Sequence, residues 1–243
     1  FMDDDMVNGS GSTLSITNNN ENAYHVFITS GLDSTTLIDG FTVQGGNADG
    51  GSTTISYNGS DFDQNFGSGM YNINSSPSIS NTTFSENTAT IRGGGMYNFD
   101  SSPSISNTTF SKNTATNQGG GMYNVSSSSS IIYNTVFYGN KASFGGGMYN
   151  FDSSPSITNS SFSRNTATNR GGGMRNISSS SPIINNTVFY ANTTGTGPDI
   201  DGDINTNSSH NASDGSGGGI GSGTGFIDLS LSGVTSSTLF VNA

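Results

Sequence analysis

Few side chains in this sequence could do acid–base or metal chemistry, and their spacing limits what that chemistry would be. Asp199, Asp201 and Asp203 alternate along one stretch, and hard carboxylate oxygens of this kind suit Ca2+. The sixth position of a calcium loop, where glycine makes the sharp turn, is here Ile204, and Gly202 sits at the fourth. A polar loop is therefore the first expectation, with Ca2+ the one metal it would take. The acids of the central region are Glu86, Asp100 and Asp152, whereas glycoside hydrolysis needs two carboxylates a few ångströms apart across a sugar. His25 and His210 lie in opposite terminal regions, no Gly-x-Ser-x-Gly elbow occurs, and there is no cysteine nucleophile. No catalytic residues are assigned, and the expectation is a protein that is not an enzyme. Two sets of tyrosines remain: Tyr71, Tyr97, Tyr123 and Tyr149, followed in register by Arg175, and the more widely spaced pair Tyr138 and Tyr190. Regularly placed tyrosines suit a glycan or a partner protein. They would also follow if like residues simply stack along a sheet.

The elements that would position these residues must be built from unusual material. Only 30% of the 243 residues are hydrophobic and 9% charged, with 35 glycines. Ser, Thr and Asn fill most of the rest, which excludes a core made of apolar helices. Six basic against 17 acidic residues give a net charge of −11, which opposes binding to nucleic acid or to an anionic membrane surface. No apolar run approaches the roughly 20 residues that span a bilayer.

A repeat supplies the order that composition lacks. Gly-Met pairs stand at Gly69-Met70, Gly95-Met96, Gly121-Met122, Gly147-Met148 and Gly173-Met174, each 26 residues from the last. A Phe-x-x-Asn series follows the same count, at Phe84/Asn87, Phe110/Asn113, Phe137/Asn140, Phe162/Asn165 and Phe189/Asn192. One residue is gained before Phe137 and given back before Met148. Short β-compatible pieces separated by turn formers, repeating at this length, suit one circuit of a parallel β-helix. Equivalent residues then pile into columns about 4.8 Å apart.

The columns can be assigned. Met70, Met96, Met122, Met148 and Met174 should face inward, with Ile73, Phe99, Val125, Phe151 and Ile177 close behind. Further inward columns are Ile79, Ile105, Ile132, Ile157 and Ile184, and the five phenylalanines from Phe84 to Phe189. Asn87, Asn113, Asn140, Asn165 and Asn192 suit left-handed bends whose amides bond from coil to coil. Outward-facing Thr88/Thr90, Thr114/Thr116 and Thr166/Thr168 would make a flat array of the kind that binds ice, but Lys141 and Ser143 break it.

Gly-Gly-Gly-Met-Tyr-Asn combined with Phe-x-x-Asn resembles the repeats of the chlamydial polymorphic outer membrane proteins and related bacterial surface proteins, over about residues 36 to 192. The resemblance implies a right-handed parallel β-helix, secretion and a place in a cell-surface adhesin; no ligand comes with it. The expected organisation is one β-helix domain over 1–243, belonging to a larger protein. Irregular opening coils span 12–48, an inserted loop 49–67, regular coils 68–192 and irregular closing coils 193–243. The expected role is that of a stiff rod at the outside of a cell. Its tyrosines Tyr71, Tyr97, Tyr123, Tyr149, Tyr138 and Tyr190 would meet a surface glycan, a protein ligand or copies of the chain itself. The alternatives are a carbohydrate-active enzyme using the loops at 49–67 or 193–225, and a subunit of a self-assembling filament.

Overall fold

The structure, a computed structural model, describes residues 23–51, 53–214 and 226–228. Of the expected opening and closing coils, residues 12–22, 215–225 and 229–243 lie outside the described residues. Among the described residues all regular structure is β, wound as a parallel β-helix of about six turns. One coil shows the pattern: strands Met96–Phe99, Ser104–Ser106, Thr109–Ser111 and Thr114–Ala115 run round the circuit, and each pairs in parallel with its equivalents above and below. Four sheets result, named here the Met, Ile, Phe and Ala sheets, with seven, six, eight and six strands.

The register matches the repeat. Met96 lies over Met70 and under Met122, Ile105 between Ile79 and Ile132, and Phe110 between Phe84 and Phe137. The extra residue of the third coil is taken up in the turn after the Met strand. Ser126 and Ser127 both adopt left-handed φ there (58° and 62°), where each other coil uses a single residue, Asn74, Asp100, Asp152 or Ser178. It is returned as a bulge between Ala142 and Phe144.

The core is thin but continuous. Met, Ile and Phe columns pack into one cluster, closed at the ends by Ile38 and Val43 and by Ile200. The phenylalanine rings stack 4.5–4.9 Å apart and within 6° of parallel, close to the strand spacing itself. Full burial of one such ring contributes roughly 2–3 kcal/mol. Much of the remaining interior is polar, and its asparagines are bonded from coil to coil. Asn87, Asn113, Asn140 and Asn165 each donate through Nδ2 to Oδ1 of the next asparagine at 2.9–3.0 Å, and that same oxygen accepts the backbone N–H of the donor residue. A second ladder joins Asn72, Asn98, Asn124, Asn150 and Asn176 at 2.7–2.8 Å. Burying an amide costs little once its donors and acceptors are paired, so a polar chain can fill a core in this way.

Two expectations need correction here. Ile73, Phe99, Val125, Phe151 and Ile177 do not stand behind the methionines inside. Alternation along the strand sends Met96 and Asn98 inward and Tyr97 and Phe99 outward, and Phe99 is 40% exposed. The left-handed bend next to the Phe column also falls one residue earlier than expected. Glu86, Lys112, Gly139, Arg164 and Ala191 carry φ of 51–63°, while the following asparagines turn their amides into the core.

Candidate ligand-binding surface

On the Met sheet, facing away from the core is not the same as facing water. Tyr71, Tyr97, Tyr123 and Tyr149 are only 3–4% exposed. The segment before each glycine triplet folds back over them, and its residues Phe66, Arg92, Gln118 and Phe144 form bridges from coil to coil. The first glycine of the triplet permits this approach. Gly93 has φ of +64°, and a Cβ there would lie 2.9 Å from Cβ of Tyr97. Phe66 stacks on Tyr97, with ring centroids 5.1 Å apart. The Arg92 guanidinium lies 5.2 Å from the Phe66 ring and 5.4 Å from Tyr123, and its Nε donates to Gln118 at 2.8 Å. Arg175, which takes the tyrosine position in the next coil, sits 4.4 Å over Phe144.

The first ring, Tyr71, is covered by the inserted segment. Residues 49–67 hold an antiparallel hairpin, Thr54–Tyr57 with Ser60–Asp63, turned at Asn58-Gly59 with both φ positive. Its Phe62 is fully buried, 5.1 Å from Tyr71 edge to face. An Asn-Gly pair between two alternating runs was the signal for this hairpin in the sequence. These four tyrosines are therefore a second core between the solenoid and its wrapping, and not the binding surface expected of them. Burial pushes all four phenols above the usual range for tyrosine, with Tyr97 and Asp63 adding to the rise at Tyr71.

The three alternating acids are not brought together. Asp199 lies inside, fully buried, and ends the asparagine ladder: its carboxylate accepts from Asn192 Nδ2 at 3.0 Å and from the Gly173 backbone N–H at 2.6 Å. Burial raises its pKa to about 6, against the pull of those two hydrogen bonds. Asp201 faces outward and pairs with Arg175 at 3.2 Å and Arg170 at 3.9 Å. Asp203 takes part through its backbone, accepting from Asn176 Nδ2 at 2.9 Å. Among the described residues, no three His, Cys, Asp or Glu side chains gather where one metal ion would meet them all.

The open surface lies on the Ile and Phe sheets. In most coils their outward residues are small and hydroxylated, as at Ser104, Ser106, Thr109 and Ser111. One coil replaces all four with Ile131, Tyr133, Val136 and Tyr138, which are 36–60% exposed. Two coils further on, Ile183, Val188 and Tyr190 occupy three of the same four places, with Tyr190 53% exposed. Ser156, Thr158, Ser161 and Ser163 fill the coil between. Tyr138 is held by Arg164, whose Nη1 donates to the phenol oxygen at 3.2 Å. The result is a flat face with apolar and aromatic stripes at a two-coil interval, about 9.6 Å. Tyr138 and Tyr190 of the sequence-derived set belong to it, and Tyr133, Ile131 and Arg164 join them. Their spacing was visible in the sequence, but their grouping across two sheets needed the turn at Asn134.

Fold and surface together define a parallel β-solenoid with one amphipathic open face. No protein-family model matches the chain, no curated protein matches its sequence, and no solved structure matches it.

Proposed function

We propose that this chain is a stiff structural segment of an extracellular or cell-surface protein, and that its Ile and Phe sheets display an adhesive surface. The observation that carries this reading is the stripe of Ile131, Tyr133, Val136 and Tyr138, exposed on a backbone whose every coil is bonded to the next. Large aromatics held out on a rigid scaffold lose little conformational entropy on binding, which favours them at contact surfaces. The rod itself does no chemistry; it spaces and presents.

Beads coated with the full chain should be retained on cell monolayers. Retention should fall when Tyr133, Tyr138 and Tyr190 are together changed to Ser. Unchanged retention by the folded triple variant would overturn the reading. Sedimentation supplies the check on self-assembly: filaments formed by the wild type and lost in the same variant would replace adhesion to other surfaces with adhesion between copies.

A further inference from the structure

The corner between the Phe and Ala sheets carries a charge pattern that the adhesive reading does not use. Along one row of left-handed residues stand Glu86, Lys112, Gly139, Arg164 and Ala191, one per coil. The row therefore has cations on both sides of a glycine. Lys112 leans over that glycine, with its Cγ 3.8 Å from where a Cβ would be. Lys141 stands two residues further round the same corner, exposed, in the place where adjacent coils have Thr114 and Thr166. Three of the chain's six basic residues thus surround Gly139, in a protein of net charge −11. The other three are engaged elsewhere: Arg92 lies against Phe66 and Tyr123, and Arg170 and Arg175 pair with Asp201. At the corner only Lys112 has a carboxylate partner among the described residues, the exposed Glu86 at 3.5 Å. Among the described residues, no acid lies within 4.0 Å of Arg164 or Lys141.

Building on the adhesive reading, we infer that the Gly139 corner is an anion subsite, and that the face binds an acidic glycan whose sugar rings lie on Tyr138 and Tyr190 while its carboxylate or sulfate groups meet Lys112, Lys141 and Arg164. Three features favour this occupant. Tyr138 is the residue beside Gly139 and is bonded to Arg164, so platform and charge are one unit. Lys112 and Arg164 are two coils apart, as are Tyr138 and Tyr190, and an extended disaccharide is about that long. A glycan with one charge per disaccharide therefore meets a ring and a cation at each repeat. Finally, a densely charged polymer such as a nucleic acid would be repelled by the acidic remainder of the surface, whereas a sparse polyanion can place its charges at the corner.

The test is titration of the full chain with a hyaluronan-type oligosaccharide, which carries one carboxylate per disaccharide, at low and at physiological salt. Binding should weaken as salt rises. It should fall roughly tenfold in a variant carrying Lys141→Gln and Arg164→Gln, and again in Tyr138→Ala, with unchanged melting temperatures in both. A neutral dextran should not bind. Equal binding of dextran, no binding of the oligosaccharide, or indifference to the two glutamine substitutions would each overturn the inference. Equally tight binding of a glutamate-rich peptide would transfer the site to acidic proteins and overturn it as well. Bead retention by the glutamine variant separates the two readings: retained beads with no glycan binding would remove the ligand class and leave the adhesive surface standing.

Discussion

Two groups of tyrosines face away from the same core, and they meet opposite surroundings. Tyr97, Tyr123 and Tyr149 are 3–4% exposed, while Tyr133, Tyr138 and Tyr190 are 36–53% exposed. Strand alternation treats both alike, since each residue follows or precedes an inward side chain. The difference comes from what lies outside the strand. Beyond the Met sheet the chain doubles back through Arg92, Gln118 and Phe144 before entering the next coil. Beyond the Ile and Phe sheets it turns at once through Asn107, Asn134 or Asn159, and no described segment lies in front of them. A solenoid face becomes a core or a contact surface according to the length of the turn beside it.

The strongest way to break this contrast is to remove a ring from the wrapped row. Tyr123→Ala should cost about 3–5 kcal/mol, because the space cannot collapse between two layers tied by backbone bridges. A melting temperature close to wild type would show that the wrapping is loose. Alkaline titration followed by phenolate absorbance tests the row as a whole. The folded phenols of Tyr71, Tyr97, Tyr123 and Tyr149 stay protonated above the ordinary value near 10, whereas in the unfolded chain they ionise there. Stability should therefore be independent of these groups below about pH 10 and fall as pH rises beyond it. Their absorbance should appear together with unfolding; smooth ionisation in the folded state would place them in water.

The same contrast separates Asp199 from Asp201, close neighbours facing opposite ways. Asp201 sits with Arg175 and Arg170 at the surface, and Asp199 closes the buried asparagine ladder. With its folded pKa raised to about 6 from an ordinary 3.8, Asp199 favours the fold when protonated. Its contribution falls as pH rises from about 4 to about 6, by up to about 3 kcal/mol. Asp199→Asn removes the charge but sets an amide N–H2 toward Asn192, at a cost of about 1 kcal/mol. The stability difference between wild type and this variant should shift in the variant's favour between pH 4 and pH 7, measured by denaturant unfolding. Parallel pH curves would mean that water reaches the end of the ladder.

How much of this was legible in the residues follows from what a repeat encodes. Parallel stacking demands a constant count, so the Met, Ile, Phe and Asn columns stand in the sequence at fixed intervals and in register. Position within the circuit is less strongly written. Ile73 and Phe99 are apolar and were expected inside, yet the paired amides of Asn72 and Asn98 take those places because a ladder satisfies them. Asn87 and Asn113 were expected to carry the bend, but their amides are needed within, and Glu86 and Lys112 accept the left-handed backbone instead. The covering of Tyr97 depends on the path of a short segment between Ala89 and Gly93, which no periodicity describes. For the face on which Tyr138 lies, the sequence showed the two-coil interval but not that Lys112, Lys141 and Arg164 close round Gly139, because that corner joins residues from three coils.

The smallest expected effect is the most informative about function. Tyr138→Ala should change stability by no more than about 0.5 kcal/mol, since the ring is exposed and its one polar partner, Arg164, is exposed too. Arg164 loses a hydrogen bond that water replaces. A large aromatic ring held outward with little benefit to the fold is the residue through which the proposed surface would act. Paired with Tyr123→Ala, the measurement gives two substitutions of the same chemistry on the same solenoid: one should unfold the protein readily and the other should leave it intact while weakening its hold on a surface. If Tyr138→Ala instead lowered the melting temperature as far as Tyr123→Ala does, the Phe sheet would be covered in the same way as the Met sheet, and the open face would not exist.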